Sequence, residues 1–107
     1  MPSKNITSLN ELKGLGNGLV ILNFWADWAP PCAQLNTLFD QLADKYSDIT
    51  FVKVEAEKAE DVTQEFDVAA VPTFVFLKNQ KVIDKVEGAN GPDLASNLSF
   101  LFNFNIF

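Results

Sequence analysis

The sequence predicts an α/β domain, a central mixed β-sheet with α-helices packed on both faces. Three stretches carry that prediction. Leu19–Trp25, LVILNFW, is a nearly continuous apolar run of strand length, the pattern of a strand covered on both sides. Further on, Leu35, Leu38, Phe39, Leu42 and Tyr46 fall at i, i+3, i+4, i+7 and i+11, one apolar face of a helix over residues 32–47. Finally, Phe74-Val75-Phe76-Leu77 and residues 82–87 flank the polar Lys78-Asn79-Gln80-Lys81, which reads as an antiparallel hairpin.

The remaining elements follow in order. Residues 1–5 are polar, so no signal peptide is expected. They lead into Ser8-Leu9-Asn10-Glu11, a capping-box pattern, and Leu9, Leu12 and Leu15 space as a short helix. Gly14, Gly16 and Gly18 end that helix and turn the chain into the first strand. After the long helix, residues 49–55 form a short strand. Residues 57–67 have helical composition, with Val62 and Phe66 on the buried side. Val71-Pro72-Thr73 opens the next strand, Gly88 breaks the last one, and Pro92-Asp93 starts a final helix carrying Leu94 and Leu98. The order is helix, strand, helix, strand, helix, strand, strand, helix, and a sheet covered on both faces satisfies it economically. Without a linker or repeat, residues 1–99 read as one domain. Residues 100–107, FLFNFNIF, form an uncharged apolar tail that alternates with period two from Phe102, where a surface helix would carry charge. Either this tail packs on the sheet or it is not original to the fold.

Composition narrows the chemistry. With 107 residues, 48% of them hydrophobic, the chain can bury a core unaided. Net charge is −6 and all eight basic residues are lysine, which argues against nucleic acid and anionic membrane surfaces as partners. No run approaches the ~20 apolar residues that span a bilayer. A lone cysteine fits a reducing, cytoplasmic compartment. The absence of histidine removes Ser-His and Cys-His nucleophile pairs and His-ligated metals, and no metal site is expected.

Cys32 is the residue of most chemical interest. The strand runs through Ala26-Asp27-Trp28-Ala29-Pro30-Pro31 and delivers this thiol to a helix start, where free amides favour the thiolate. Dithiol exchange needs a second sulfur nearby, and position 29 is alanine. Negative charge at Asp27 opposes a thiolate, and an unpaired cysteine is often no more than a small buried hydrophobe. Glu55, Glu57, Glu60, Asp61, Glu65 and Asp67 form an acidic stretch that reads as a solvated face, a partner surface or a weak cation site.

The segment Asn23-Phe24-Trp25-Ala26-Asp27-Trp28-Ala29-Pro30-Pro31-Cys32 resembles the thioredoxin active-site segment, whose usual form ends Trp-Cys-Gly-Pro-Cys. Val71-Pro72-Thr73 resembles that family's cis-proline segment, and Lys78-Asn79 with Gly88-Ala89 resembles its closing hairpin. The likeness runs from Ser8 to Leu98. Trp28-Ala29-Pro30-Pro31-Cys32-Ala33-Gln34, residues 51–57 (FVKVEAE) and residues 88–94 (GANGPDL) are similar to the N-terminal thioredoxin-like domain of multidomain monothiol glutaredoxins.

The resemblance implies a thioredoxin fold, with Ala29 at the attacking-cysteine position and Cys32 at the resolving one. It places Asn23 where thioredoxins carry a buried aspartate that relays protons, and asparagine cannot titrate. Lys53 aligns with the lysine near that aspartate and is expected to lack an acid partner at position 23. Dithiol reductase activity is therefore not expected. Trp25 is implied to be structural. Trp28, Pro31, Val71, Pro72, Thr73, Gly88 and Ala89 are implied to outline a shallow surface where an extended peptide pairs with the Val71 backbone. The expected role is a docking or targeting module of a monothiol glutaredoxin concerned with redox and iron–sulfur or iron homeostasis, in the cytoplasm and the nucleus. The alternatives are a weak monothiol oxidoreductase that forms mixed disulfides with glutathione or protein through Cys32, and a purely structural domain. The Cys-Gly-Phe-Ser motif with which the family's glutaredoxin domains hold glutathione and a [2Fe–2S] cluster is absent from this sequence, so no cofactor is expected in this chain.

Overall fold

A computed structural model of the chain describes residues 3–28 and 30–87, with the backbone alone for Pro30, Pro31, Cys32 and Gln34. The elements are β1 (Lys4–Asn5), α1 (Leu9–Lys13), β2 (Leu19–Trp25), α2 (Pro30–Lys45), β3 (Thr50–Glu55), α3 (Glu60–Glu65), β4 (Thr73–Lys78) and β5 (Lys81–Glu87). The five strands form one sheet in the order β1-β3-β2-β4-β5. Apolar β2 occupies the centre. It pairs parallel with β3, from Val20↔Thr50 to Trp25↔Glu55. On its other side it pairs antiparallel with β4, from Leu19↔Lys78 to Phe24↔Thr73.

The period-two alternation of β2, β3 and β4 divides the interior into two cores. Leu19, Ile21, Phe51, Phe74 and Phe76 meet Leu35, Phe39 and Ala43 of α2 on one face. Phe39 lies edge-on to Phe51 with ring centres 5.1 Å apart, and 6.0 Å from Phe74. Val20, Leu22, Phe24, Val52, Val54, Val75 and Leu77 face the other way, toward Leu12 of α1 and Val62 of α3. Helices thus cover both faces, as the continuously apolar β2 requires.

Three details differ from the sequence expectation. Polar residues Lys4 and Asn5 form a strand, pairing parallel with Val52 and Lys53 at the sheet edge. Two exposed residues carry no periodicity to announce it, and a buried apolar residue, Ile6, follows them. Helix α3 is shorter than predicted, because Lys58 N–H and Ala59 N–H both donate to the Glu55 carbonyl (2.9 and 3.1 Å) and make a turn before the helix. The strands of the β4–β5 hairpin reach one residue further than expected at each side of the turn, since Lys78 and Lys81 pair within the ladder. The expected break at Gly88, the final helix from Pro92 and the tail at residues 100–107 lie outside the described residues.

Candidate functional site

Parallel β2 and β3 end side by side, and the chain leaving β2 crosses over to α2. In open α/β sheets, ligand sites gather beyond the carboxyl ends of such strands. Ala56 N–H donates to the Trp25 carbonyl (2.9 Å), carrying the β2–β3 pairing one residue past the strands. Beyond it, Trp28 is 69% exposed, unusual for the largest side chain in the chain's repertoire. Its indole N–H donates to the Glu57 carboxylate, which fixes the ring across the β2–α2 and β3–α3 connections. A cavity of about 160 Å³ lies beside the ring, lined by Trp28, Ala56, Val68, Ala69, Ala70 and Val71. Val68 and Ala69 also line a neighbouring concavity of about 470 Å³ with Thr63, Gln64 and Asp67. The two hollows therefore make one shallow groove. Another cavity of about 470 Å³, beside Lys4, Ala43 and Phe51, sits at the opposite end of β3 and contains none of the predicted site residues.

Trp28 and Val71 are thus brought together at the groove. The Val71–Pro72 peptide bond is cis. Pro72 and Thr73, in contrast, are buried. Thr73 Oγ1 donates to the Ala70 carbonyl (2.6 Å), so this side chain holds the groove wall from beneath. Both lie beneath the groove and are not among the residues that line its two hollows. Ala29, Gly88 and Ala89 lie outside the described residues, as do the side chains of Pro31 and Cys32. The backbone of Pro31 and Cys32 belongs to the first turn of α2, which holds no acidic residue.

Beneath the loop, Asn23 is fully buried on the α2 face of the sheet. Its Nδ2 donates to Asn36 Oδ1 at 2.7 Å, giving a neutral amide pair where a carboxyl would titrate. Asn23 Oδ1 and the Trp25 indole N–H are buried without hydrogen-bond partners among the described residues. Lys53 does lack an acid at position 23, but it has one elsewhere. Its Nζ pairs with Asp40 Oδ2 at 3.2 Å, and Asp40 Oδ1 accepts from Ser3 Oγ at 2.6 Å. Asn36 and Asp40 were not anticipated from the sequence. Their i, i+4 spacing on α2 sets both toward the sheet and was the available signal.

The acidic stretch is not one surface. Glu57 binds the Trp28 indole, and Glu55 pairs with Lys58 at 3.6 Å. Asp61 Oδ2 accepts from the Leu9 N–H at 2.9 Å, capping α1 from α3. At the same helix start, Ser8 Oγ accepts from Glu11 N–H (3.2 Å), and Glu11 Oε1 accepts from Thr7 N–H and Thr7 Oγ1 (3.0 and 2.9 Å). The Thr7 donors hold the Glu11 carboxyl below its ordinary pKa. Among the described residues no group of three His, Cys, Asp or Glu side chains stands close enough to hold a metal ion.

The fold and the loop can be set against known proteins. Human (Homo sapiens) glutaredoxin-3 is 42% identical over 94 residues, 81% of this chain and 28% of that protein. Monothiol glutaredoxin-4 of Schizosaccharomyces pombe is 47% identical over 72 residues, 67% of this chain and 30% of that protein. The chain therefore spans less than a third of the length of these relatives. Among solved structures, mitochondrial thioredoxin 3 of Saccharomyces cerevisiae in its oxidised form superposes with a TM-score of 0.86 at 32% identity. That alignment covers 92% of this chain and 95% of the yeast chain. Residues 7–99 match the Thioredoxin family. That match runs from α1 through β5, and the chain belongs to the thioredoxin family, as a thioredoxin-like domain related to thioredoxins and monothiol glutaredoxins.

Proposed function

We propose that this domain docks a protein partner and does not reduce disulfides. The observation that carries the reading is Trp28, 69% exposed beside the cavity that Val71 also lines. Next to it stands Ala29, at the position of the family's attacking cysteine. An exposed tryptophan held by a hydrogen bond and edging an apolar hollow is the usual form of a binding anchor. The neutral Asn23–Asn36 pair supports the same reading, because neither amide can exchange a proton with a thiol. By likeness to the monothiol glutaredoxins, the domain serves as their docking or targeting module in redox and iron–sulfur or iron homeostasis, in the cytoplasm and nucleus. It needs no cofactor of its own for that role, and neither nucleic acid nor membrane is a partner.

Two measurements test this. In a disulfide-reduction assay supplied with thioredoxin reductase, the chain should show no turnover above background, and thioredoxin-like turnover would refute the proposal. In affinity capture, Trp28→Ala should lose partners that the unaltered chain retains, and an unchanged set removes the groove from the account.

A second reading rests on the position of Cys32 in the first turn of the 16-residue helix α2, where backbone amides favour a thiolate. There the domain forms mixed disulfides with glutathione or with protein. Alkylation rate against pH decides between the two: a midpoint well below the ~8.5 of a free thiol favours this second reading.

A further inference from the structure

We propose that the groove beside Trp28 selects an extended, basic protein segment, one apolar side chain flanked by lysine or arginine. This rests on the docking reading above and adds the chemistry of the partner.

The floor sets the polarity of what enters. Ala56, Ala69 and Ala70 with Val68 and Val71 leave about 160 Å³ beside the indole, room for one apolar side chain. The rim sets the charge. Thr63 and Gln64 line the adjoining hollow together with Asp67. Glu60 precedes Gln64 by four residues in α3 and so lies on the same side of that helix. Glu60, Asp67 and, at the other end beside Trp28, Glu57 are all exposed. Among the described residues no side chain pairs with the Glu60 or Asp67 carboxylate, and no lysine lines either hollow. Two nearby lysines are engaged, and the second places one positive charge beside Asp67. Lys58 pairs with Glu55 at 3.6 Å, and Lys85 Nζ donates to the Phe66 and Asp67 carbonyls at 3.3 and 3.2 Å. A net charge of −6 adds a long-range field of the same sign. Such a rim discriminates between partners by charge more than it adds affinity.

The test uses the full chain and three blocked peptides, each with a central Ala-Val-Ala, flanked by lysines, by serines or by glutamates. Titration calorimetry at low salt should rank lysine over serine over glutamate. The lysine peptide should bind about fivefold tighter than the serine peptide, the scale of two or three exposed ion pairs. That preference should shrink below about twofold in ~0.5 M salt. It should also shrink below about twofold in the Glu60→Gln, Asp67→Asn double variant at low salt. Asparagine is tolerated at position 67, where φ is 52°, so the variant should fold, and circular dichroism checks it. Trp28→Ala should weaken all three peptides. Equal binding of the three, lost together in Trp28→Ala, overturns the charge selection and leaves the docking site standing. Binding of none, or binding indifferent to Trp28→Ala, overturns both.

Discussion

Asn23 shows how one buried atom decides a reaction class. On the proposed reading a carboxyl here would relay protons, whereas the amide, bonded to Asn36 at 2.7 Å, does not titrate over the physiological pH range. On the proposed reading, Ala29 and Asn23 both stand between this domain and dithiol chemistry, and they act separately. Ala29→Cys should give slow disulfide reduction in the reductase-coupled assay, and the Ala29→Cys, Asn23→Asp double variant should turn over faster than the single one. A rate in the double variant equal to that of Ala29→Cys would show that position 23 no longer governs proton transfer in this fold. That position 29 carries no sulfur is read directly from the sequence, because it is a matter of residue identity. That Lys53 would find Asp40 was not legible, because an ion pair between a strand and a helix 13 residues away depends on register, which a single sequence does not state.

At the scale of elements, the connections are held by side chains that the pattern of apolar residues cannot reveal. The β4–β5 turn places Asn79 and Gln80 at φ 53° and 66°, the left-handed pair that hairpin turns require. Gln80 tolerates this because its Nε2 donates to the Leu12 and Gly16 carbonyls at 3.2 and 2.7 Å, tying the hairpin to the turn after α1. Gln80→Ala keeps the backbone cost and loses both bonds, so it should lower unfolding free energy by about 1–2 kcal/mol in urea melts. Gln80→Gly loses the same bonds but relieves the left-handed cost of about 1 kcal/mol, and should be the more stable of the two. The opposite ranking would deny the turn its conformation. Helix α1 carries a pH-dependent element. Glu11 has its pKa depressed by the Thr7 donors, so the folded state holds its proton less tightly than the unfolded chain does. Its contribution is complete above the unfolded carboxylate pKa and disappears as pH falls through the lower, folded value. Glu11→Gln should therefore reduce stability at neutral pH, with the two proteins converging in acid. A constant gap across that range would assign the effect to shape instead of charge. The strands β2 to β5, the helices α1 and α2 and this cap were all readable from period and capping pattern. Strand β1 and the true start of α3 were not, since backbone hydrogen bonds alone define them.

On the scale of the whole molecule, the same three strands wall two cores. Phe39 packs with Phe51 and Phe74 beneath α2, whereas Val62 of α3 packs on the other side of β2 and β3. The two share no contact but share a sheet, and they test whether the domain unfolds as one body. Phe39→Leu removes ring packing at a cost of about 1–3 kcal/mol, and Val62→Ala deletes two methyl groups worth about 2 kcal/mol. A domain of this size has about 5–15 kcal/mol of stability, so the double variant should remain folded. If the sheet joins the cores into one cooperative unit, each variant should show a single transition, coincident by tryptophan fluorescence and far-ultraviolet circular dichroism. The double variant should lose the sum of the single costs to within about 0.5 kcal/mol, as expected of sites with no common neighbours. Transitions that separate by probe would mean that the α2 layer melts apart from the α1/α3 layer. That outcome would bear on function, because the groove is built from both: the Trp28 loop leads into α2, and the opposite wall comes from residues 63–71 after the start of α3. A groove whose two walls unfold together keeps its shape whenever the domain is folded, and this rigidity is what the proposed docking role requires.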